Sequence, residues 1–426
     1  MKYAAWVVVA MLVVASAGGG WAQENQGVLL AKGLRLLGEY RLRYEARNAA
    51  SFFAGDGDSP KDESSRLRLG LLWEGPDKSR IFIEPQWAYQ NTHGGPGPTS
   101  MMLRDVDVLE GYASMVDHGR VWKIGRQTMK FGDSRLVGNL EWGNTGRSFD
   151  GIRVTLADRH TTTDLFVTRL GLAPAKSNEP MLAGLYSAVR TGSAGGFDVY
   201  ALNKSVPLTS STEQNIWTIG TRPHYAFARR WDATVEAAYQ LGAFADRAVS
   251  AYAYAAVVGY TLPGRNHVRL SVERDYATGG DPGGTGIYRT FDQLFPTNHA
   301  YYGLADYVGW RNMEDWRIGA KGEPLAGLTL QVDGHFFRLP NPRDYWYNAA
   351  GKPQTGAAGT PLWDPTGAAG HDLGKEVDVA MQYAIGRHCI VSGGWARFVP
   401  GAFVTKTNGG HADPSDWFYL QTSVSF

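Results

Sequence analysis

From about Gly38 to the C-terminus, apolar and polar side chains alternate in short runs, joined by links of two unequal kinds. In the run from Glu39 to Glu45, Tyr40, Leu42 and Tyr44 fall on one side of an extended chain and Glu39, Arg41, Arg43 and Glu45 on the other. Arg66 and Arg68 alternate in the same way with Leu67, Leu69, Leu71 and Trp73, and Glu376, Asp378 and Gln382 with Val377, Val379, Met381 and Tyr383. A period of two is the signature of β-strands. Eighteen segments keep it: 38–46, 64–74, 79–90, 105–115, 120–127, 149–157, 162–170, 183–190, 196–202, 215–222, 231–239, 250–260, 266–275, 312–320, 327–338, 373–383, 388–398 and 416–426. The links after even-numbered segments are tiny, as at 75–78, 116–119, 158–161 and 384–387; those after odd-numbered segments are long, as at 91–104, 128–148, 277–300 and 339–372.

That asymmetry predicts an all-β fold, a transmembrane antiparallel β-barrel of about 18 strands with short periplasmic turns and long extracellular loops. An even count places both ends of the barrel on the short-turn side. Alternation alone fits a soluble sandwich equally well, with the apolar row hidden rather than against lipid. Three features favour the barrel: an export signal, a last segment that alternates Phe418, Leu420, Thr422 and Val424 and stops on Phe426, and the lack of a single fully apolar core. Trp73, Trp87, Tyr89, Tyr112, Trp231, Tyr260, Tyr383 and Trp417 at segment ends are expected in interfacial girdles.

The export signal is the one long apolar run. Lys2 precedes Tyr3 to Val14, and small residues follow at Ala15, Ser16, Ala17 and Gly20 to Ala22. Residues 1–22 are therefore expected to be a signal peptide, 23–37 a short periplasmic segment and 38–426 the barrel, in the outer membrane of a Gram-negative-type bacterium.

Composition changes this picture little. Trp, Tyr and Phe number 14, 21 and 17, and Gly 53, a supply suited to strands and turns. With 42 Lys and Arg against 41 Asp and Glu, the net charge of +1 gives no sign of a nucleic-acid partner. The single cysteine, Cys389, has no partner for an internal disulfide. The ten histidines show no HExxH spacing, and the acidic loop at 55–63 lacks the order of a calcium loop. No GxSxG surrounds Ser148. Neither a metal, a cofactor nor an enzyme is expected.

Between Gly125 and Arg153 the chain reads GRQTMKFGDSRLVGNLEWGNTGRSFDGIR. Together with FDQLFPTNHAYYGLADYVGWRNMEDWRIGA from Phe291, DGHFFRL from Asp333, and LGKEVDVAMQY and GWARFVPGAFV within 373–404, this resembles the alginate export family of outer-membrane proteins over nearly the whole mature chain. The resemblance implies a monomeric 18-stranded barrel whose lumen is narrowed by inward loops and lined by arginines that pass a polyuronate.

A polyuronate carries one carboxylate per sugar, and guanidinium groups stay ionised and grip carboxylates with a planar fork. Between Arg120 and Arg153 seven basic residues face three acidic ones, Asp133, Glu141 and Asp150. Arg126, Arg135, Arg147 and Arg153 are therefore expected at a constriction, with Asp150 orienting one of them; the same arginines can instead pair with the three acids and fix a long loop to the wall. Strand phase adds Arg41, Arg43, Arg66, Arg68, Lys123, Arg269 and Arg317 to the lumen, together with many acids, among them Glu39, Glu273, Asp275, Asp315, Asp333, Glu376 and Asp378. The lumen as a whole is mixed in charge. The leading reading is an outer-membrane conduit for an anionic polysaccharide or its oligomers, embedded in lipid and served by periplasmic export proteins. The alternatives are a porin for small solutes and an adhesive barrel. The mature chain is expected to give a β-dominated far-UV spectrum in detergent and to migrate faster on gels when unheated; a helical spectrum, or a soluble monomer without detergent, removes this reading.

Overall fold

The computed structural model describes residues 27–54, 59–93, 106–171, 179–208 and 213–426. The signal peptide and its cleavage site lie outside these residues, as does part of the acidic loop. The strands are β1 (Val28–Ala31), β2 (Leu34–Arg47), β3 (Lys61–Glu74), β4 (Arg80–His93), β5 (Val106–Asp117), β6 (Arg120–Gln127), β7 (Ser148–Ala157), β8 (Thr161–Gly171), β9 (Met181–Arg190) and β10 (Gly195–Pro207). They continue as β11 (Glu213–Phe227), β12 (Trp231–Phe244), β13 (Arg247–Thr261), β14 (Arg269–Ala277), β15 (Met313–Leu325), β16 (Leu328–Arg338), β17 (Asp372–Ile385), β18 (Cys389–Pro400) and β19 (Ser415–Ser425). Each strand from β2 onward pairs antiparallel with the next, and β19 pairs with β2 to close the ring. The result is a closed 18-stranded barrel, with β1 a short strand hydrogen-bonded to the start of β2.

The alternation sets the faces. On β3, Leu69, Leu71 and Trp73 are exposed on the outside, whereas Arg66 and Arg68 are buried on the inside. The usual polarity of a protein is inverted: exposed Leu, Val and Ile ring the wall while arginines and carboxylates lie within. Only a hydrocarbon surround makes such an exterior stable. Trp73, Tyr89, Trp231 and Tyr383 are exposed on the outer face, as expected of girdle residues. Tyr112 and Trp417 depart from that expectation. Tyr112 shares its side of the wall with Lys123, whose ammonium lies 3.9 Å from its ring, and Trp417 is buried against Trp142 and His299.

All 18 expected segments correspond to β2 to β19, with edges that shift. The first starts at Leu34, earlier than expected. The segments around 231–239 and 250–260 extend into the expected long loop, leaving only Ala245 and Asp246 between β12 and β13. Gly242 and the alanines there weaken the alternation without ending the ladder. At the opposite end, His118 and Gly119 both take positive φ and form a two-residue turn between β5 and β6, the geometry that matches strand twist.

An apolar core exists, and loops build it inside the barrel. Met129, Phe131, Leu136 and Val137 from the 128–147 loop pack with Phe291, Leu294, Phe295, Tyr302 and Trp310 from the 278–312 loop and with Trp346 and Leu362 from the 339–371 loop. They sit on inward wall residues, including Ala251, Ala253 and Ala255, whose small side chains leave room. Backbone bonds from Gly138 N to Phe295 O (2.9 Å) and from Phe295 N to Leu136 O (2.8 Å) stitch the first two loops together.

The seam is closed by Gly38 and Phe426, which exchange two backbone hydrogen bonds of 3.0 Å. A side chain at Gly38 would run into the Phe426 ring. Gly38→Leu is therefore expected to displace the terminal aromatic and destabilise the barrel by ~1–3 kcal/mol, as overpacking does. The readout is the temperature at which the fast-migrating folded band is lost on gels, which should fall relative to a Gly334→Ala control, where an added methyl meets open space.

Candidate functional site

The inward residues of β2 and β3 form a basic wall. Register sets Arg41 beside Arg66 and Glu39 beside Arg68, and all four arginines of this wall, Arg43 included, are buried. Guanidiniums this close repel unless anions or carbonyl oxygens lie between them. The tip of the 128–147 loop supplies both. Arg41 donates to the carbonyls of Glu141 (3.0 Å) and Gly143 (2.7 Å), and Arg43 to that of Trp142 (2.8 Å). Arg43 also lies 4.0 Å above the Trp142 ring, which stacks on His299 at 3.7 Å and meets Tyr419 edge-on at 4.9 Å.

The Glu141 carboxylate itself sits between Arg66 (2.5 Å) and Arg68 (2.8 Å), with Arg66 also held by Glu39 at 2.6 Å. Partial burial works to raise the Glu141 carboxyl, but Arg66 and Arg68 outweigh it and hold the group below the ordinary carboxylate value. The side chain nonetheless keeps 48% of its exposure, so this carboxylate is clamped while open to the lumen.

Further round the ring the wall turns acidic. Glu273 and Asp275 of β14 receive Arg135, which pairs closely with Glu273, lies 3.3 Å from Asp275, donates to Tyr302 Oη at 2.9 Å and stacks 3.9 Å over Tyr301. Arg317 of β15 pairs with Asp333 at 2.9 Å and with Glu273 at 3.4 Å. His335 bridges Asp315 (2.6 Å) and Asp378 (3.5 Å). Two carboxylates also hold the 278–312 loop by its backbone: Leu304 N donates to Asp378 (3.1 Å) and Ala305 N to Glu376 (2.9 Å).

The remaining residues put forward from the sequence separate. Arg147 donates to the carbonyls of Gly138 (3.0 Å) and Pro296 (2.9 Å) and to that of Phe295, tying two loops together. Its burial pushes the guanidinium down to about 10. Arg153 faces the lumen beside Lys123 and lies 3.4 Å from Asp164, and Arg269 pairs with Asp232 at 2.6 Å.

Arg126 and Asp150 do come together, at 2.7 Å, but not with the others. Ile124 and Ile152, their neighbours in register, are exposed on the outer face, whereas Gln127 and Phe149 are fully buried inside. Arg126 and Asp150 therefore share the outward side of β6 and β7. The signal was available: Arg126 is an odd step from Lys123 and Asp150 an odd step from Arg153, so neither pair can share a face.

Between the clamped loops and the wall lies a cavity of about 450 Å³. Its lining includes Arg269, Arg317, Lys321, Gln331, Asp333 and His299. Sequence reading missed Lys321, although it lies an even step from Arg317 and so on the lumen face. It also gave no role to Trp142, and the stack of Trp142 on His299 depends on two loops far apart in the chain. Among the described residues no cluster of His, Cys, Asp or Glu is arranged to hold a metal. The arrangement holds carboxylates. Arg135→Gln leaves Glu273 and Asp275 without their main cation, and removing one partner of a buried pair costs ~3–5 kcal/mol. The expected outcome is a lower melting temperature of the folded band and faster proteolysis within 128–147.

Solved outer-membrane porin structures share this fold. Pseudomonas aeruginosa OccK8 (OprE) superposes with a TM-score of 0.62 at 11% identity, covering 93% of this chain and 98% of that one. P. aeruginosa OpdO gives 0.60 at 14% identity over 93% and 98%, and P. aeruginosa OccD3 (OpdP) gives 0.60 at 10% over 97% and 96%. No curated protein sequence matches the chain. The sequence profile of alginate export proteins matches residues 33–416, nearly the whole barrel. The chain is an outer-membrane β-barrel channel and belongs to the alginate export family.

Proposed function

We propose that this channel passes an anionic polysaccharide, an alginate-like polyuronate or its oligomers, by handing carboxylates along the arginines of its lumen. The observation that carries this reading is the Glu141 carboxylate, gripped by Arg66 and Arg68 yet half open to the lumen. An internal carboxylate already occupies a seat shaped for a uronate, and a passing uronate can take its place. A charge-assisted contact of this kind is worth ~1.5–3 kcal/mol when partly desolvated and ~0–1 kcal/mol facing water. Exchange between similar carboxylates therefore proceeds with little net cost, which conduction requires.

Beyond the clamp, Lys123, Arg153, Arg269, Arg317 and Lys321 continue the cationic path. Arg153 and Arg269 are each tempered by one acid and Arg317 by two, which keeps those contacts weak enough to leave. Arg135 and Arg147 shape the path by fixing its loops, while Arg126 and Asp150 stand outside it. The path lies within one ring of strands, so a single chain suffices for transport. Periplasmic export proteins would deliver the polymer at the short-turn side. A second reading, a porin for small solutes, draws on the 450 Å³ cavity, which suits a few sugar rings better than a wide polymer bore.

Single-channel current in planar bilayers tests the proposal. Polyuronate oligomers are expected to block wild type at low salt and neutral glucans not to, with block fading toward 1 M salt as the Debye length falls to ~3 Å. Arg66→Gln with Arg68→Gln should abolish that block. Equal block by neutral glucan, or unchanged block in the double variant, overturns the assignment.

The clamp also carries a pH dependence. A carboxyl held below its ordinary value stabilises the clamp above that ordinary value and ceases to do so as pH falls through the lowered one. Wild-type conductance is expected to stay constant near neutrality and rise only at pH below the ordinary carboxylate range. Glu141→Gln should show the raised level at pH 7.

A further inference from the structure

The lipid-facing surface carries charges that transport does not use. Strand phase places Arg274 of β14, Arg338 of β16, Lys375 of β17 and Arg397 of β18 on the outer face, near the long-loop end. They share it with exposed Trp316, Phe336 and Trp395. Register puts Arg274 beside Trp316, Trp316 beside Phe336 and Phe336 beside Lys375, with Arg338 one outward position further along β16 and Arg397 beside Val377. With strands ~4.8 Å apart, the four cations lie on one patch spanning about 20 Å.

Arg274 is paired with Glu314 at 3.0 Å and Arg397 with Asp416 at 3.1 Å. Arg338 and Lys375 are exposed and have no ion pair with any described residue; the Lys375 ammonium lies 5.7 Å from the Phe336 ring. Two outward cations on other strands are paired. The outward Arg126 is held by Asp150 and Asp107, and the outward Arg169 by Glu179 at 3.2 Å.

A cation on the lipid side of a barrel is costly unless it reaches an anion in the headgroup layer. At the extracellular rim that layer is the outer leaflet, whose lipid is a phosphorylated glycolipid. We propose that the outer rim of β14 to β18 is a binding site for the phosphate of this glycolipid. Arg338 and Lys375 take the phosphate oxygens, since guanidinium and ammonium are strong phosphate donors. Arg274 and Arg397 flank them, and Trp316, Phe336 and Trp395 pack along the first carbons of the acyl chains. The proposal is independent of what passes through the lumen.

The test uses the full mature protein purified from outer membranes in mild detergent. Retained glycolipid is quantified by mass spectrometry, and the melting temperature of the folded band is measured with added bisphosphorylated lipid A, its dephosphorylated form or phosphatidylglycerol. Wild type is expected to retain lipid A and to melt higher with the bisphosphorylated form than with either alternative. Arg338→Gln with Lys375→Gln should lower retention about thirtyfold, the scale of two basic residues at a charged membrane surface, and remove the melting shift. Lys375→Arg should preserve both. Should the double variant fold poorly, Lys375→Gln alone carries the same comparison. Equal protection by the dephosphorylated lipid, equal protection by phosphatidylglycerol, or undiminished retention in the variants overturns the proposal.

Discussion

Hydrocarbon offers a backbone N–H or C=O no partner, and a chain that crosses it in extended form must bond every strand to two neighbours. Closure of β19 onto β2 meets that requirement, and it fixes what else the molecule can be. Once the ring is closed, each strand has one face on lipid and one on the lumen. Apolar side chains go outward, so the charged rows that would be solvated in a soluble sandwich are gathered inside. The terminal pair Gly38 and Phe426 is where this constraint is most local, since a bulky residue at 38 meets the last ring of the chain.

Gathering charge in an enclosed lumen creates a second problem. Arg41, Arg43, Arg66 and Arg68 are close together on two strands, and the acids of β14 to β17 are close together on four. Neither wall is stable with bare charges. The long loops resolve both with one fold: the tip of the 128–147 loop brings a carboxylate and carbonyls to the basic wall, and Arg135 of the same loop reaches the acidic one. The loop is an electrostatic bridge between unlike walls. Its apolar residues meanwhile pack with those of the 278–312 and 339–371 loops into the core. Stability and permeation are thereby coupled, because the groups a charged substrate would engage are the groups that hold the loops in place.

The outside of the barrel follows the same electrostatic rule with a different supplier of counterions. Arg126 and Arg169 find acids on neighbouring segments, whereas the rim of β14 to β18 leaves two cations to the headgroup layer. A membrane barrel can complete its charge pairing with lipid as well as with protein.

The sequence by itself determined the number of strands, their order, the inward and outward rows and the side on which the termini lie. These depend on a period of two and on link length, both local properties that survive an error of several residues at any edge, as between β12 and β13. Parity also carried information about the site: Arg41, Arg66, Lys123, Arg153 and Arg317 face the lumen as their phase requires, and the outward placement of Arg126 and Asp150 was implicit in it. Tertiary structure alone decided which loops turn inward and which charges meet. Glu141 reaches Arg66 across 75 positions of chain, and Arg135 reaches Glu273 across 138. Whether a basic cluster becomes a free ring or a set of clasped struts depends on contacts at that separation, and no local pattern of residues encodes them.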